Sequence, residues 1–265
     1  MPLLHLFLLA VVQGITEFLP ISSSGHLILV PHLTGWDDQG LTIDAAVHVG
    51  TLGAVAIYFW RDVLRMTIGA GELATGRMTD GARLALYIVL ATIPVVIAGL
   101  LFKDVIETRL RSVEVIAWAT ILFGVALWLA DRFGDRVRRL ESMNLPHALI
   151  VGIAQAIALI PGTSRSGITM TAARMLGYER TDAARFSMLM SIPTIIAAGA
   201  LIGRDILAAG DATLGADAII AAGLSFVTAL AAIALLMRWL SFATFTPFVI
   251  YRLLMGAGLL AWLYT

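Results

Sequence analysis

Six long apolar stretches constrain this chain more than any other feature of its sequence. An α-helix needs about 20 apolar residues to cross the hydrocarbon core of a bilayer. Charged residues make up only 14% of the 265-residue chain, whereas a typical soluble domain has about 25%. The sequence therefore predicts an all-α, polytopic membrane protein. The six predicted spans cover roughly residues 43–60, 84–102, 113–130, 185–203, 217–237 and 247–264.

Two further apolar regions, residues 3–33 and 147–176, are each interrupted near the middle by proline and a Ser/Gly cluster. The apolar pieces on either side are too short to cross a bilayer alone. Non-helical backbone at membrane depth is tolerated only where it is buried in protein or faces a wet cavity. We therefore interpret both regions as re-entrant helical hairpins whose tips lie deep in the membrane.

The order of these elements predicts an internal repeat. A hairpin and three spans are followed by another hairpin and three spans, and an offset of 142 residues aligns residues 13–25 with residues 155–167. Because three is an odd number of crossings, the second half enters the membrane from the opposite side. We expect a single membrane domain, residues 1–265, with inverted-topology repeats at about 1–131 and 145–265. In such folds the binding sites tend to lie at the repeat interface, on broken helices.

The distribution of arginine and lysine predicts the orientation. Eleven basic residues fall in loops on one side and four on the other, and an excess of basic residues marks the cytoplasmic side. The first hairpin then enters from outside, the second enters from the cytoplasm, and both termini lie outside. No basic residue precedes Arg61, so the first apolar run lacks the basic start of a cleavable signal peptide and is expected in the mature protein.

Composition narrows the function classes. The formal net charge is zero and cysteine is absent. Nucleic-acid binding is therefore not indicated, and disulfides and thiolate metal sites are excluded. Membrane lipids are the expected surroundings. The sequence leaves the oligomeric state open, with a homodimer as one candidate.

The first hairpin tip, TEFLPISSSGHL, gathers polar residues that lipid does not tolerate. Ionisable groups at membrane depth are costly and usually face a cavity or a partner. Glu17 follows Gln13 by four residues, so the two share one face of a helix, which Pro20 ends. The serines at 22–24 are suited to cap a second helix, whose exposed N–H groups form an anion site. His26 falls in the first turn of that helix.

The second tip, LIPGTSRSGIT, has a matching set of groups. Pro161 and Gly162 break the helix, and Arg165 supplies a permanent charge suited to bidentate phosphate contacts. The two tips together indicate an anion site with a carboxylate and an imidazole beside it. A lipid phosphate or diphosphate fits better than a soluble nucleotide, because the chain has no P-loop. Hydroxyls come from Thr163, Ser164 and Ser166.

Both tips resemble the signatures of the undecaprenyl-diphosphate phosphatase family, the bacitracin-resistance type of bacterial inner membranes. Many members carry Glu where this chain has Gln13, which cannot be a charged metal ligand, so Glu17 would carry more of that role. In the first signature, Glu/Gln-x-x-x-Glu leading into Pro-x-Ser-Ser-x-Gly-His, the positions are Gln13, Glu17, Pro20, Ser22, Ser23, Gly25 and His26. In the second, Pro-Gly-x-Ser-Arg-Ser-x-x-Thr, they are Pro161, Gly162, Ser164, Arg165, Ser166 and Thr169.

The resemblance implies an enzyme that hydrolyses undecaprenyl diphosphate to the monophosphate and inorganic phosphate. This reaction recycles the carrier lipid for peptidoglycan synthesis in cell-wall biogenesis, and it is the activity behind bacitracin resistance. The resemblance also implies a location in the bacterial inner membrane, a site that opens toward the periplasm, and assistance by a divalent cation, Mg or Ca.

For this chemistry we expect in-line attack on the terminal phosphorus, with Ser23 or His26 as the nucleophile or as the group that activates water. Arg165 would bind the transferring phosphoryl oxygens and offset their growing charge. Glu17, with a metal ion as its ligand, would orient and neutralise the diphosphate. The prenyl chain would lie against the apolar spans. The residues expected to bind substrate are Gln13, Ser22, Ser24, Thr163, Ser164, Ser166 and Thr169.

Each role has a structural alternative. Glu17 and Arg165 would form an ion pair between the repeats, His26 would cap or pack, and His48 with Asp44 would form a satisfied interior pair. A competing function also stands, because inverted repeats with broken helices are a transporter design. The same site would then carry a prenyl phosphate or another anion across the membrane without covalent chemistry.

Overall fold

The fold is helical throughout the part of the chain that the computed structural model describes, residues 2–36, 40–208 and 215–265. Within these ranges no β-strand forms, and a single 3-10 turn, Leu140–Ser142, precedes α8. The all-α prediction is therefore confirmed. The helices are α1 Leu3–Thr16, α2 Ser23–Thr34, α3 Gly40–Tyr58, α4 Trp60–Ala74, α5 Asp80–Leu101, α6 Lys103–Arg109, α7 Val113–Phe133, α8 Leu145–Ile157, α9 Arg165–Met175, α10 Arg180–Ala208, α11 Ala216–Leu240 and α12 Thr246–Tyr264.

Five of the six predicted spans correspond to helices that are long and apolar enough to cross a membrane, namely α5, α7, α10, α11 and α12. The first predicted span, 43–60, lies mostly in α3. This helix meets the criteria of length and apolarity for a membrane span only when it is counted together with α4 as one bent pair. The two helices meet at 88° across Phe59. The chain is thus a polytopic membrane protein, and its described residues include five helices that are long and apolar enough to span a membrane, or six when the bent pair is counted as one.

Helix α4 is amphipathic, which explains why it does not continue the direction of α3. Trp60, Leu64 and Ile68 are exposed at four-residue spacing and form one apolar stripe. On another face, the buried carboxylate of Asp62 accepts a 2.9 Å hydrogen bond from Arg185 Nε on α10. A helix with separate apolar and charged faces suits the plane of a membrane surface better than its interior.

Both predicted hairpin regions are broken where the sequence indicates. Residues 17–22 separate α1 from α2, and residues 158–164 separate α8 from α9. The breaks share a backbone feature: Ser22 has φ 77° and Ser164 has φ 71°, a conformation uncommon outside glycine. At Gly162, with φ 92°, an added Cβ would lie 2.4 Å from the carbonyl oxygen of Ile116. Only glycine fits there.

The first helix of each hairpin packs against a long helix from the other half of the chain. Helix α1 packs on α11, and α8 packs on α5. Small residues permit the close approach: a Cβ on Gly14 would lie 2.8 Å from the Ser225 carbonyl oxygen, and one on Gly152 would lie 2.3 Å from that of Ala91. Contacts of α3 with α11 and of α10 with α5 form a second such pair. The two halves therefore interlock, and the two tips meet between them.

A buried ionic cluster ties α7, α9, α10 and the start of α12 together. Asp131 accepts hydrogen bonds from Arg174 Nε at 3.2 Å, from Arg180 Nε at 2.7 Å and from the backbone N–H of Phe245 at 3.2 Å. Arg174 is fully buried and also donates to three backbone carbonyls in the loops after α7 and α9. This cluster lies at the end of α9 opposite its tip.

Candidate active site

Glu17 lies at the centre of the polar groups that the two tips bring together. It follows α1 directly, where the chain leaves the helix before Pro20. Its Oε2 accepts hydrogen bonds from Ser23 Oγ at 2.7 Å and from Gln13 Nε2 at 2.9 Å. Its Oε1 accepts one from Arg165 Nη2 at 3.2 Å. Both carboxylate oxygens thus accept hydrogen bonds, and only 6% of the side chain is exposed.

Arg165 reaches Glu17 from the opposite hairpin. It is the first residue of α9, and its other terminal nitrogen, Nη1, donates to the backbone carbonyl of Ser187 on α10 at 3.1 Å. The guanidinium is therefore held between α10 and the first tip. Its side chain retains 14% exposure, so an anion can still reach it from the cavity in front of the tips.

That cavity has a volume of about 790 Å³ and is lined by the catalytic candidates Glu17, Ser23 and Arg165, together with Ser24 and Ser164. Its polar floor is formed by the two tips, and its walls are formed by α3, α10 and α11. The walls are mostly apolar and carry a mixture of small and branched aliphatic side chains. Lining residues on the walls include Ala45, Val49, Ile195, Gly199, Ala218, Ile219 and Ala222.

A cavity with a charged floor and apolar walls fits an amphipathic ligand. The hydroxyl of Ser23, the carboxylate of Glu17 and the guanidinium of Arg165 would meet an anionic headgroup. The walls would meet a hydrocarbon chain, since apolar surface is most stable against apolar surface. The cavity thus combines polar groups from both tips with an apolar lining.

His48 supplies an imidazole to this cavity. The sequence interpretation did not assign this residue to the site. It lies on α3, its Nε2 is 3.9 Å from Glu17 Oε2, and its side chain is 35% exposed. Its Nδ1 bonds the backbone carbonyl of Asp44 at 2.7 Å, so the predicted interior pair is a backbone contact rather than a side-chain pair. The available signal was a single imidazole in an otherwise apolar stretch.

His26 lies elsewhere, and here the structure departs from the expectation that it stands beside Arg165. Its Nδ1 is 2.6 Å from the carbonyl oxygen of Ser22, and its Nε2 is 2.5 Å from the Tyr251 hydroxyl on α12. Because a carbonyl only accepts, Nδ1 carries a proton, and in the neutral ring Nε2 then accepts from the tyrosine hydroxyl. His26 lines a separate groove of about 390 Å³ between α1, α2 and α12. The two contacts turn the ring away from the Glu17 cavity.

The remaining hydroxyls divide between the cavity and the interior. Ser24 and Ser164 line the cavity. Ser22 and Ser164 cap α2 and α9 by accepting from the N–H groups of residues 25 and 167 at 3.3 Å and 3.1 Å. Ser166 is buried and joins the tips by donating to the Leu19 carbonyl at 2.9 Å.

Two predicted substrate-binding threonines of the second tip are also buried. Thr169 shares a 2.7 Å hydrogen bond with the Ser187 hydroxyl, which belongs to the residue whose carbonyl holds Arg165. Thr163 is fully buried, and its hydroxyl has no hydrogen-bond partner among the described residues. Gln13 is fully buried as well. Direct contact with a ligand in the cavity is therefore open to Ser24 and Ser164 rather than to the whole predicted set.

Few groups in the site are suited to bind a divalent cation. Among residues 2–36, 40–208 and 215–265, no cluster of three or more His, Cys, Asp or Glu side chains is placed to hold a metal ion. Glu17 is a carboxylate that lines the cavity, and Gln13 Oε1 is a buried oxygen with no hydrogen-bond partner in the described part of the chain. A Mg²⁺ ion is commonly held by one or two carboxylates together with substrate phosphates. These residues fit such an ion on condition that a bound diphosphate supplies further oxygens.

Comparison with known proteins shows the family to which the chain belongs. The family model described as bacitracin resistance protein BacA matches residues 6–258. A Ruegeria pomeroyi protein named undecaprenyl-diphosphatase is 57% identical over 100% of both chains. Proteins with the same name from a Jannaschia species and from Roseobacter denitrificans are 56% and 54% identical, and the matches cover 98% and 100% of each chain. The chain belongs to the bacitracin resistance protein BacA family.

Proposed function

We propose that this chain is a membrane phosphatase that hydrolyses undecaprenyl diphosphate to undecaprenyl phosphate and inorganic phosphate. Full-length relatives carry the name of that activity. The observation that carries the proposal is the contact of Ser23, Glu17 and Arg165 at the floor of an apolar-walled cavity. The product would return to peptidoglycan synthesis as carrier lipid.

Ser23 is the nucleophile in this proposal, and Glu17 is its base. The serine hydroxyl already donates to Glu17 Oε2 at 2.7 Å, which is the distance at which a carboxylate can accept its proton. Ser23 Oγ bonds to the terminal phosphorus as the bond from that phosphorus to the bridging oxygen breaks. Undecaprenyl phosphate leaves, and the serine proton passes to Glu17. Water then attacks the phosphorus of the phosphoserine, and the bond from that phosphorus to Ser23 Oγ breaks. Glu17 returns its proton to the serine oxygen, so that inorganic phosphate leaves and both the serine hydroxyl and the Glu17 carboxylate are restored.

Arg165 and His48 assist the reaction without forming a bond to phosphorus. Arg165 leaves part of its contact with Glu17 to bind the equatorial oxygens of the transferring group, whose charge it offsets in the transition state. His48 lies beside Glu17 and can exchange a proton with it between the two half-reactions. Ser24 and Ser164 hold non-bridging oxygens. We assign His26 to fixing the first tip through Ser22 and Tyr251.

Glu17, with oxygens of the bound diphosphate, would hold a Mg or Ca ion. The ion would neutralise phosphate charge and polarise the phosphoryl oxygen when bound. Gln13 donates to Glu17 through its amide nitrogen and thereby fixes the carboxylate for that contact. Glu17 remains the charged ligand of the set, because Gln13 carries no charge.

The membrane arrangement belongs to the same proposal. A bacterial inner-membrane protein of this kind would have its cavity open to the periplasm and both termini outside, as the eleven-to-four distribution of basic residues favours. The two inverted repeats are supported by the paired helix contacts and by the two serines with positive φ. A homodimer is an arrangement that this site does not require, since both tips come from one chain.

A direct assay tests the function. Purified protein in detergent should release inorganic phosphate from undecaprenyl diphosphate, and Arg165→Ala should lower that rate by about a hundredfold or more with unchanged helical content. Arg109→Ala, on an exposed arginine outside the cavity, is the matched control and should keep the wild-type rate. A transporter would release no phosphate from this substrate and would instead move labelled prenyl phosphate across liposomes, a result that contradicts the proposal.

A further inference from the structure

Arg252 is a fully buried arginine whose charge has no acidic partner in the described ranges. It lies in α12, its side chain is 0% exposed, and none of the ion pairs formed by described residues includes it. A buried charge is costly unless it is paired or fully hydrogen-bonded. The protein must therefore gain something from keeping a guanidinium at this position.

The guanidinium bonds both hairpin tips from behind. Its Nη1 donates to the carbonyl of Pro20 in the first tip at 3.2 Å. Its Nη2 donates to the carbonyls of Gly162 and Thr163 in the second tip, both at 3.0 Å. These carbonyls belong to peptides that have left helical geometry. Inside a membrane such groups need partners, and Arg252 provides them for both tips at once.

Two further hydrogen bonds fix the arginine itself to α7. Its Nε donates to the carbonyl of Thr120 at 3.0 Å, and Nη2 reaches that of Ala119 at 3.4 Å. The Thr120 hydroxyl also donates to the Gly162 carbonyl at 3.3 Å. Helix α7 thus acts as the rigid support, and Arg252 connects it to the two tips.

The direction of these bonds has a consequence for the cavity side of the second tip. In a trans peptide the C=O and the N–H point in opposite directions. Because the Thr163 carbonyl points at Arg252, the N–H of Ser164 points away from Arg252. Ser164 and Arg165 line the cavity, so the same hydrogen bond that satisfies Arg252 sets the orientation of the peptide that enters α9.

We propose that Arg252 is a positioning residue for hydrolysis: it holds the two tips in register, so that Arg165 and the start of α9 face the nucleophile and base of the first tip. It does not touch substrate. This inference rests on the proposed hydrolase function. A shift of about 1 Å between catalytic groups can cost about a hundredfold in rate, so the register of the tips is expected to appear in kcat.

The test compares two buried arginines in the full-length protein in detergent with undecaprenyl diphosphate. Arg252→Lys keeps the charge, but lysine has three donors on a single nitrogen in place of the planar fork. We expect kcat to fall by about 10- to 100-fold while KM stays within about threefold. Arg174→Lys is the matched control, because Arg174 is equally buried and bonds backbone carbonyls away from the tips. It should lower the melting temperature and keep kcat within about threefold.

Coupling separates positioning from general stability. If Arg252 acts through Arg165, the fall in kcat caused by Arg252→Lys should shrink by about tenfold when measured in an Arg165→Lys background, since effects on one functional unit are not additive. Independent, additive effects would overturn the inference. So would a kcat for Arg252→Lys within about threefold of wild type, or an equal loss of kcat in Arg174→Lys.

A milder variant covers the case in which Arg252→Lys does not fold. Thr120→Val removes the hydroxyl that shares the Gly162 carbonyl with Arg252 and keeps the side-chain volume. Its kcat should fall by about threefold or more at unchanged KM, and an unchanged kcat would overturn the inference. If the wild-type protein releases no phosphate, the proposed function fails; if it is active and these variants are too, only the role of Arg252 fails.

Discussion

Glu17→Gln is the most informative single substitution, because the carboxylate accepts hydrogen bonds on both of its oxygens. Arg165 donates to Oε1, and Ser23 and Gln13 donate to Oε2. Glutamine has the same shape but only one acceptor oxygen, and its NH₂ group must replace the other. One side of the site is then left with donors facing donors, whichever way the amide is turned.

The size of the effect follows from what is lost. Leaving a buried donor without a partner costs about 1–3 kcal/mol, so the variant should unfold at a lower temperature than wild type. The chemical step loses more, because an amide cannot take the Ser23 proton and general-base catalysis contributes about 10²–10⁴-fold. We therefore expect kcat for phosphate release to fall by about 10²–10⁴-fold, well beyond what the loss of stability explains.

The measurement is phosphate release from undecaprenyl diphosphate in detergent, at a temperature at which both proteins are fully folded. Glu114→Gln is the matched control, since Glu114 is exposed and accepts a 2.8 Å hydrogen bond from Tyr264 outside the cavity. It should keep wild-type kcat. If Glu17→Gln retained kcat within about threefold of wild type, Glu17 would not be the base, and the reaction would have to proceed by another route.

Three further predictions test the other parts of the site. Ser23→Ala should lower kcat by on the order of 10³-fold or more and abolish any trapped phosphoenzyme; incorporation of labelled solvent oxygen without a trapped adduct in wild type would instead favour direct attack by water. His48→Gln should lower kcat by about tenfold or more, whereas His26→Gln should mainly lower the melting temperature, and the reverse order would return His26 to the chemistry. Removal of divalent cations by a chelator should slow phosphate release, and added Mg²⁺ or Ca²⁺ should restore it, because the ion offsets diphosphate charge; an unchanged rate in chelator would show that the reaction needs no ion.

The spans could be predicted from the sequence because they depend on length and apolarity alone. Helices α5, α7, α10, α11 and α12 lie where the apolar stretches indicated. The right-angled bend after α3 was not predicted, because no proline or glycine marks it at Phe59-Trp60. The signal that was present is the four-residue spacing of Trp60, Leu64 and Ile68, which is typical of an amphipathic helix.

The contact of Glu17 with Arg165 could also be predicted, because each is the ionisable residue closest to the break in its hairpin. The sequence could not show which histidine, His26 or His48, lies beside Glu17. His26 is drawn aside by Tyr251, which lies 225 residues later in the chain, and His48 reaches Glu17 from α3. Such contacts depend on how α3 and α12 pack around the tips, and neither packing leaves a trace in the local pattern near residue 26.

The distribution of charge around the two tips explains why composition gave no indication of the ligand. The chain as a whole has a formal net charge of zero, and Glu17 and Arg165 offset one another at the floor of the cavity. Arg252 adds a positive charge directly behind both tips, with carbonyl dipoles but no carboxylate around it in the described ranges. Low-dielectric surroundings strengthen its field at the cavity. In the proposed function, this positive charge behind the tips would favour a diphosphate over a ligand of lower charge.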